Sequence, residues 1–272
     1  MTKTPEKQRG FTLVELVTVI IILGILATSV SEFLRYGTQS YTNATDREEI
    51  ISTARFVIER LNREVRNALP NSLRVTSDNS MQCLEYVPIA NSAIYLDIPV
   101  FPEVAANNIE VMMLQSLPPT ATNLLSIYAL NSNDIYNKTT GVIATFNNIA
   151  LNPDLSLPSA ITLANDTLFV SESPTNRLYL IEAPIAYCLV ASSLYRYSNY
   201  AYSNENTPIF DGTNRSLMAE YLVNNINQDS ELPFKTVPAT LQRNGLALIR
   251  LIFSRNLERI VFNNEIQVPN VP

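Results

Sequence analysis

The 272-residue chain is 46% hydrophobic, contains no histidine and two cysteines, and carries a formal net charge of −6. Without histidine it lacks the side chain that most often acts as a general base near neutral pH, and Ser-His-Asp and Cys-His nucleophilic arrangements are excluded. Zinc would have only two cysteines and carboxylates to hold it, and the acidic balance argues against nucleic acid, which needs a basic footprint.

The first ten residues set Lys3, Lys7 and Arg9 against Glu6, a net of +2, while the remaining 16 basic and 24 acidic residues net −8. Positive charge ahead of an apolar run predicts a cytoplasmic leader and an exported C-terminal part. The run extends from Leu13 to Val30, with one acid, Glu15, inside its start. The uncharged stretch Leu16 to Ser31 is at the short end of the roughly 20 mostly apolar residues a membrane-spanning helix needs. A carboxylate deep in a bilayer costs roughly 2.5–3.5 kcal/mol on insertion scales, so Glu15 calls for a partner. The nearest candidate is the amine exposed by cutting the chain after Gly10. A conventional secretory signal is instead cut behind its apolar region, where Ala27-Thr28-Ser29 offers only a weak site. An ordinary signal anchor with a snorkelling acid is the plain alternative.

The order Gly10-Phe11-Thr12-Leu13-Val14-Glu15, the charged leader and the apolar span together resemble the cleavage and methylation motif of type IV prepilins and type II secretion pseudopilins. The resemblance implies that a prepilin peptidase cuts between Gly10 and Phe11 and methylates the Phe11 amine, and that Glu15 is the subunit-assembly acid. The α-amine of a neighbouring subunit, cationic after one methylation, would then neutralise Glu15 at low dielectric. There an ion pair is stronger than in water, although desolvation takes back much of the gain. Such a pair fixes how far one helix is displaced along the next. Many major pilins have proline where this chain has Glu32. Gly24 remains as a soft point, and the departure weighs against a major-subunit role.

Further along, Glu32 to Thr45 is weakly helical by propensity, with Gly37 and a cluster of Ser, Thr and Asn. Asp46 to Leu69 predicts a stronger helix. Ile50, Ala54, Val57, Leu61, Val65 and Ala68 recur at steps of three and four and mark one apolar stripe. Glu59 and Arg63 stand four apart in the favourable order, and Pro70 supplies a stop. A continuous helix from Thr12 to Leu69 would reach roughly 85 Å at 1.5 Å per residue. Every proline but Pro5 lies at or after position 70, which marks the start of a head.

The head reads as short apolar runs between turn signals: Cys83–Ile89, Ala93–Val100, Leu124–Leu130, Gly141–Phe146, Thr167–Ser171, Leu178–Ile181, Ala186–Tyr197, Leu246–Phe253 and Glu258–Val268. Ser254-Arg255-Asn256 suggests a hairpin turn, and Arg215 to Asn225 a short helix. Cys83 and Cys188 both fall in the exported part, where disulfides persist. One bridge is expected because no third cysteine competes, the alternative being two separate buried thiols. The predicted fold class is α+β: a long N-terminal helix, transmembrane in its first half and amphipathic in its second, packed on a β-rich pilin-like head. The expected boundaries are a leader at 1–10, a transmembrane or filament-core helix at 11–31, its amphipathic continuation at 32–69 and a periplasmic head at 70–272.

Three segments invite chemical readings. Asn225-x-Asn227-x-Asp229-x-Glu231 alternates oxygen ligands but lacks the glycine and terminal glutamate of a calcium hand. Tyr195, Tyr197, Tyr200 and Tyr202 read as amphipathic sheet residues before they read as a ligand platform. The head acids Asp97, Asp134, Asp166 and Asp211 show no spacing that points to a carboxylate pair. No catalytic residue, cofactor or metal is therefore expected. Arg63-Glu64-Val65-Arg66-Asn67-Ala68, Tyr195-Arg196-Tyr197-Ser198, Pro238-Ala239-Thr240-Leu241 and the ending Val268-Pro269-Asn270-Val271-Pro272 resemble a minor-pilin family of the mannose-sensitive haemagglutinin (MSHA) pilus system. The resemblance implies a minor pilin, single-pass in the inner membrane with a cytoplasmic leader and periplasmic head, then built into a pilus or its tip. Its implied partners are the prepilin peptidase, other major and minor pilins through the N-terminal helix, the inner-membrane assembly platform and the lipid bilayer. A minor pseudopilin of type II secretion is the near alternative; a membrane-anchored periplasmic enzyme or binding protein is the distant one.

Overall fold

The computed structural model describes residues 10–112, 114, 121–154, 156–205, 210, 214–240, 243–256 and 258–269. The leader ahead of Gly10 and Asp211 lie outside the described residues, as do Leu241 and the last three residues of the chain. Helix α1 runs from Leu13 to Arg66 without a break. The stretch of weak propensity around Gly37 is thus helical, and the helix stops just short of Pro70, which cannot donate the next hydrogen bond. Two compact units are present, Met1–Glu49 and Ile50–Pro272. The first consists of the N-terminal part of α1, whose apolar side chains are exposed.

In the second unit the rest of α1 is followed by β1 (Arg74–Ser77), β2 (Met81–Tyr86), β3 (Ile89–Tyr95), β4 (Ala106–Met112), β5 (Ala121–Ile127), the one-turn helix α2 (Ser132–Tyr136), β6 (Ile143–Ala150), β7 (Ser159–Thr167) and β8 (Arg177–Glu182). Then come β9 (Ile185–Val190), β10 (Ser193–Ser198), β11 (Arg215–Ala219), β12 (Phe234–Val237), β13 (Gly245–Arg255) and β14 (Glu258–Val268). They form a five-stranded sheet ordered β1-β2-β9-β10-β11, a three-stranded sheet β12-β13-β14, and a closed barrel β3-β4-β7-β6-β5-β8.

The predicted stripe is the face that α1 buries: Ile50, Ala54, Val57, Leu61 and Val65 are each 2% exposed or less. They pack with Leu84, Tyr86, Tyr187 and Leu189 of the five-stranded sheet and with Phe234, Ile249, Leu251 and Ile266 of the three-stranded one. Alternation along β2 turns Leu84 and Tyr86 to the helix and Cys83 and Glu85 to the opposite face, where Cys83 joins Cys188, Tyr197 and Tyr200. Each fully buried aliphatic side chain of this kind contributes roughly 1.5–3 kcal/mol.

The barrel is an insertion. The chain leaves the five-stranded sheet at Tyr86, builds all six barrel strands, and returns at Ile185 directly opposite Tyr86, because β2 and β9 are antiparallel neighbours. Cys83 and Cys188 face each other in that ladder and form the expected bridge, with an S–S distance of 2.11 Å. The bond closes a loop that contains the whole barrel. Replacing both cysteines by serine is expected to cost about 2–5 kcal/mol, read as a lower urea midpoint for the detergent-solubilised protein under non-reducing conditions.

Several expectations are corrected. Arg215 to Asn225 is not a helix: β10 offers it a row of unpaired backbone groups, and Arg215–Ala219 pairs there as β11, with Leu222 bridging to Phe253. Ala186–Tyr197 is two strands, folded at Ala191, whose φ of 53° reverses the chain. Of Thr167–Ser171 only Thr167 belongs to a strand, as the end of β7, and Phe169 adds a single bridge to Val100. The true strand there is Ser159–Thr167, disguised by its polar ends. The last hairpin is as predicted: Arg255 pairs with Glu258 across Asn256, which takes a φ of 48°.

Candidate assembly site

Thr12 precedes the first residue of α1 and its Oγ1 accepts the Glu15 amide at 3.3 Å. Thr12 is thus an N-cap with Glu15 three residues on, the residue order of a capping box. The cap leaves Glu15 in the first turn, where the helix dipole favours a negative charge. Gly10, Phe11 and Glu15 are all exposed, Phe11 at 73%. Over an 18-residue window α1 has a mean hydropathy of 2.5, and none of that window is buried. It is the one helix among the described residues long and apolar enough to cross a membrane. An apolar surface this large needs a cover, either lipid or other apolar helices.

The C-terminal turns of α1 hold a second polar constellation that the sequence did not reveal. Glu64 accepts from the Tyr86 and Tyr187 hydroxyls at 2.7 and 3.0 Å and from Arg196 Nε at 2.9 Å. Arg60 Nε, one turn earlier, donates to its other oxygen at 2.8 Å. Burial alone would raise the Glu64 carboxyl, but the bonds from Arg60, Tyr86 and Arg196 win and bring it down to about 2. The i,i+4 ion pair seen on this part of the helix is Arg60–Glu64 rather than the expected Glu59–Arg63, both of whose members are exposed. On the other face of the sheet, Glu85 is fully buried, bound by Arg74 at 2.7 Å and by the Tyr200 hydroxyl at 2.7 Å. Burial pushes its carboxyl up against the pull of Arg74 and Tyr200. The Arg74 guanidinium also lies 3.5 Å from the centre of the Tyr136 ring.

The segments that invite chemical readings are engaged in contacts within the chain. In the calcium-like segment Asp229 pairs with Lys235 at 2.8 Å and Glu231 with Arg259 at 2.7 Å. Among the described residues no group of three or more His, Cys, Asp or Glu converges as a metal site. The tyrosines are structural: Tyr197 stacks on Phe210 with ring centres 3.9 Å apart, and Tyr202 donates to the Glu182 carbonyl at 2.6 Å. Glu64 and Glu85 had one signal in the sequence, a carboxylate at each core-facing stretch with arginines and tyrosines elsewhere to meet it, but their pairing is set only by the fold.

Residues 6–31 match the family described as the prokaryotic N-terminal methylation motif. That match supports a type IV prepilin-like protein, a structural pilin-type or pseudopilin subunit. It implies processing by prepilin peptidase and assembly with other pilins, and with the apolar helix it is consistent with anchoring in the inner membrane. Comparison with curated proteins and with solved structures returns no match.

Proposed function

We propose that this chain is a minor pilin of an MSHA-type type IV pilus, of the MshO kind. It is inserted once in the inner membrane, cut by prepilin peptidase between Gly10 and Phe11, methylated on Phe11, and carried by the assembly platform into the pilus or its tip. The membrane-spanning and amphipathic segments divide at residue 31, and the head begins at 70. The observation that carries the reading is the methylation motif at residues 6–31, standing at the capped start of an exposed apolar helix. Glu15 is the assembly acid, paired with the amine of an adjacent subunit. Glu32 in place of the major-pilin proline favours a minor role. A minor pseudopilin shares the same chemistry, and genes beside it for a pilus or a secretion machine distinguish the two.

Mass analysis of the protein recovered from membranes is expected to show methylated Phe11 at the N-terminus. A chain beginning at Met1, or one clipped near Ala27, contradicts the reading. Gly10→Val is expected to accumulate as uncut precursor, because a glycine Cα is all that the peptidase would meet at that position. Processing of that variant at the normal rate, followed by immunoblot, would count against the assignment.

A further inference from the structure

Sheet edges recruit other chains unless they are short, bulged, covered, charged (with lysine above all) or broken by proline. Most edges here are guarded in those ways. β1 and β12 have four residues each, and β12 lies between Pro233 and Pro238. β11 has five residues against a bulge at Leu194/Tyr195, and the barrel closes on itself. β14 is the exception among the described residues. It has eleven residues, no lysine and no proline, and it pairs with β13 in unbroken register from Arg255↔Glu258 to Gly245↔Val268.

Hydrogen-bond directions identify its bare groups. On β13 the Ser254 and Arg250 amides donate to the Tyr221 and Pro233 carbonyls, and the Ile252 carbonyl accepts from Val223. Those three residues therefore face away from β14. The alternation of an antiparallel pair turns their opposites, Arg259, Asn263 and Val261, away from β13, and Glu265 follows. The backbone groups of these four residues have no partner among the described residues. Their side chains lie on an exposed face, whereas Ile260 and Phe262, on the other face, are only half-buried at the rim of the core under α1.

We propose that β14 is a docking edge that takes an extended strand from a neighbouring pilin-type subunit, so that the three-stranded sheet continues into a second chain. A row of donors and acceptors at strand spacing is matched by another strand's backbone. The side chains specify the rest. Arg259, which spends one nitrogen on Glu231, and Glu265 ask for an acid and a base on the exposed face of the partner. Ile260 and Phe262 ask for apolar residues on the face between. This rests on the assembly reading and adds to it a contact made by the head.

The test compares hydrogen exchange in the full-length processed protein, extracted in detergent, with the same protein in sheared pili. The amides of Arg259, Val261, Asn263 and Glu265 are expected to exchange at least ~100-fold more slowly in the pilus. Those of Ile260, Phe262 and Asn264, which already bond to β13, are expected to be protected in both. Val261→Pro removes an N–H that has no partner among the described residues. That variant should keep its melting temperature within a few degrees and be processed normally, yet enter pili at least fivefold less. Unchanged exchange in pili that contain the chain, or normal incorporation of a folded Val261→Pro, overturns the proposal alone. A detergent-extracted wild-type dimer that the substitution dissolves supports the proposal and identifies the neighbouring subunit as a second copy of this chain. Absence of the wild-type chain from pili, with no methylated Phe11, overturns the assembly reading and this proposal with it. If Val261→Pro unfolds, the exchange comparison on the wild type decides by itself.

Discussion

Glu64→Ala is expected to destabilise the protein by about 1–3 kcal/mol, the range for leaving buried hydrogen-bonding groups without their partner, the carboxylate itself being half-buried. The substitution strips Arg60, Arg196 and the Tyr86 and Tyr187 hydroxyls of their common acceptor. Two of those groups belong to fully buried residues, Tyr86 and Tyr187. The damage falls where α1 joins the five-stranded sheet, so the variant should also be more readily proteolysed there. The measurement is the melting temperature of the detergent-solubilised chain at pH 7, and a loss below about 1 kcal/mol, the scale of an exposed pair, would mean the cluster is not a clamp.

The same cluster gives a pH signature. The Glu64 carboxyl ionises at about 2 in the fold against an ordinary 4.5. A depressed carboxylate contributes stability that is present above its unfolded value and is lost as pH falls from about 4.5 towards 2. Glu85, whose carboxyl is raised, acts in the opposite sense: its contribution is present below its ordinary range and is lost as pH rises through the raised value. Glu64→Gln leaves the Glu85 component in place. The difference between wild type and variant is therefore expected to shrink steadily on acidification below about pH 4.5, and a difference independent of pH would exclude a charged Glu64.

Glu15→Leu is expected to leave cleavage after Gly10 intact and to reduce incorporation into pili a hundredfold or more. The apolar side chain suits a bilayer better than a carboxylate does, so membrane insertion is not the step at risk. What is lost is the acceptor for a neighbour's methylated amine, and an unpaired buried charge costs about 3–5 kcal/mol, which is roughly two to four decades in an equilibrium constant. Glu15→Asp should recover part of the loss, since it restores the charge one methylene short. The readout is the ratio of the subunit in sheared pili to that in membranes, with the N-terminal mass as the control for processing. A pilus as well populated as in wild type would remove Glu15 from the interface.

How much of the fold is legible in the sequence depends on how local each signal is. The α1 stripe is legible because a helix writes its buried face at a fixed spacing, and Ile50 to Val65 keep that spacing without exception. β14 is legible to the residue because Ile260, Phe262 and Ile266 recur at even spacing, with Arg259, Asn263, Glu265 and Gln267 among the residues between, and Asn256 supplies the turn. β11 is not, because Leu217, Tyr221 and Leu222 fit a helical spacing equally well, and only the open side of β10 decides between the two. Thr12 as the helix cap is within reach, since a threonine three residues before a glutamate is itself a start signal, but the cost of an acid beside an apolar run draws Glu15 to a different use. The Glu64 cluster joins residues as much as 132 positions apart, and no local pattern announces such a meeting. The barrel is hidden for the same reason: its strands are ordinary, and its closure depends on β8 finding β3.

The position of the Cys83–Cys188 bond has a mechanical meaning. For a force applied between α1 and the C-terminal strands, the shortest covalent path through the chain runs by way of this bond. Tension entering along α1 reaches Cys83 and crosses directly to Cys188, so the residues between them bear none of it. The six-stranded barrel hangs beside the line of force, and it keeps its shape while the backbone that holds it is under strain.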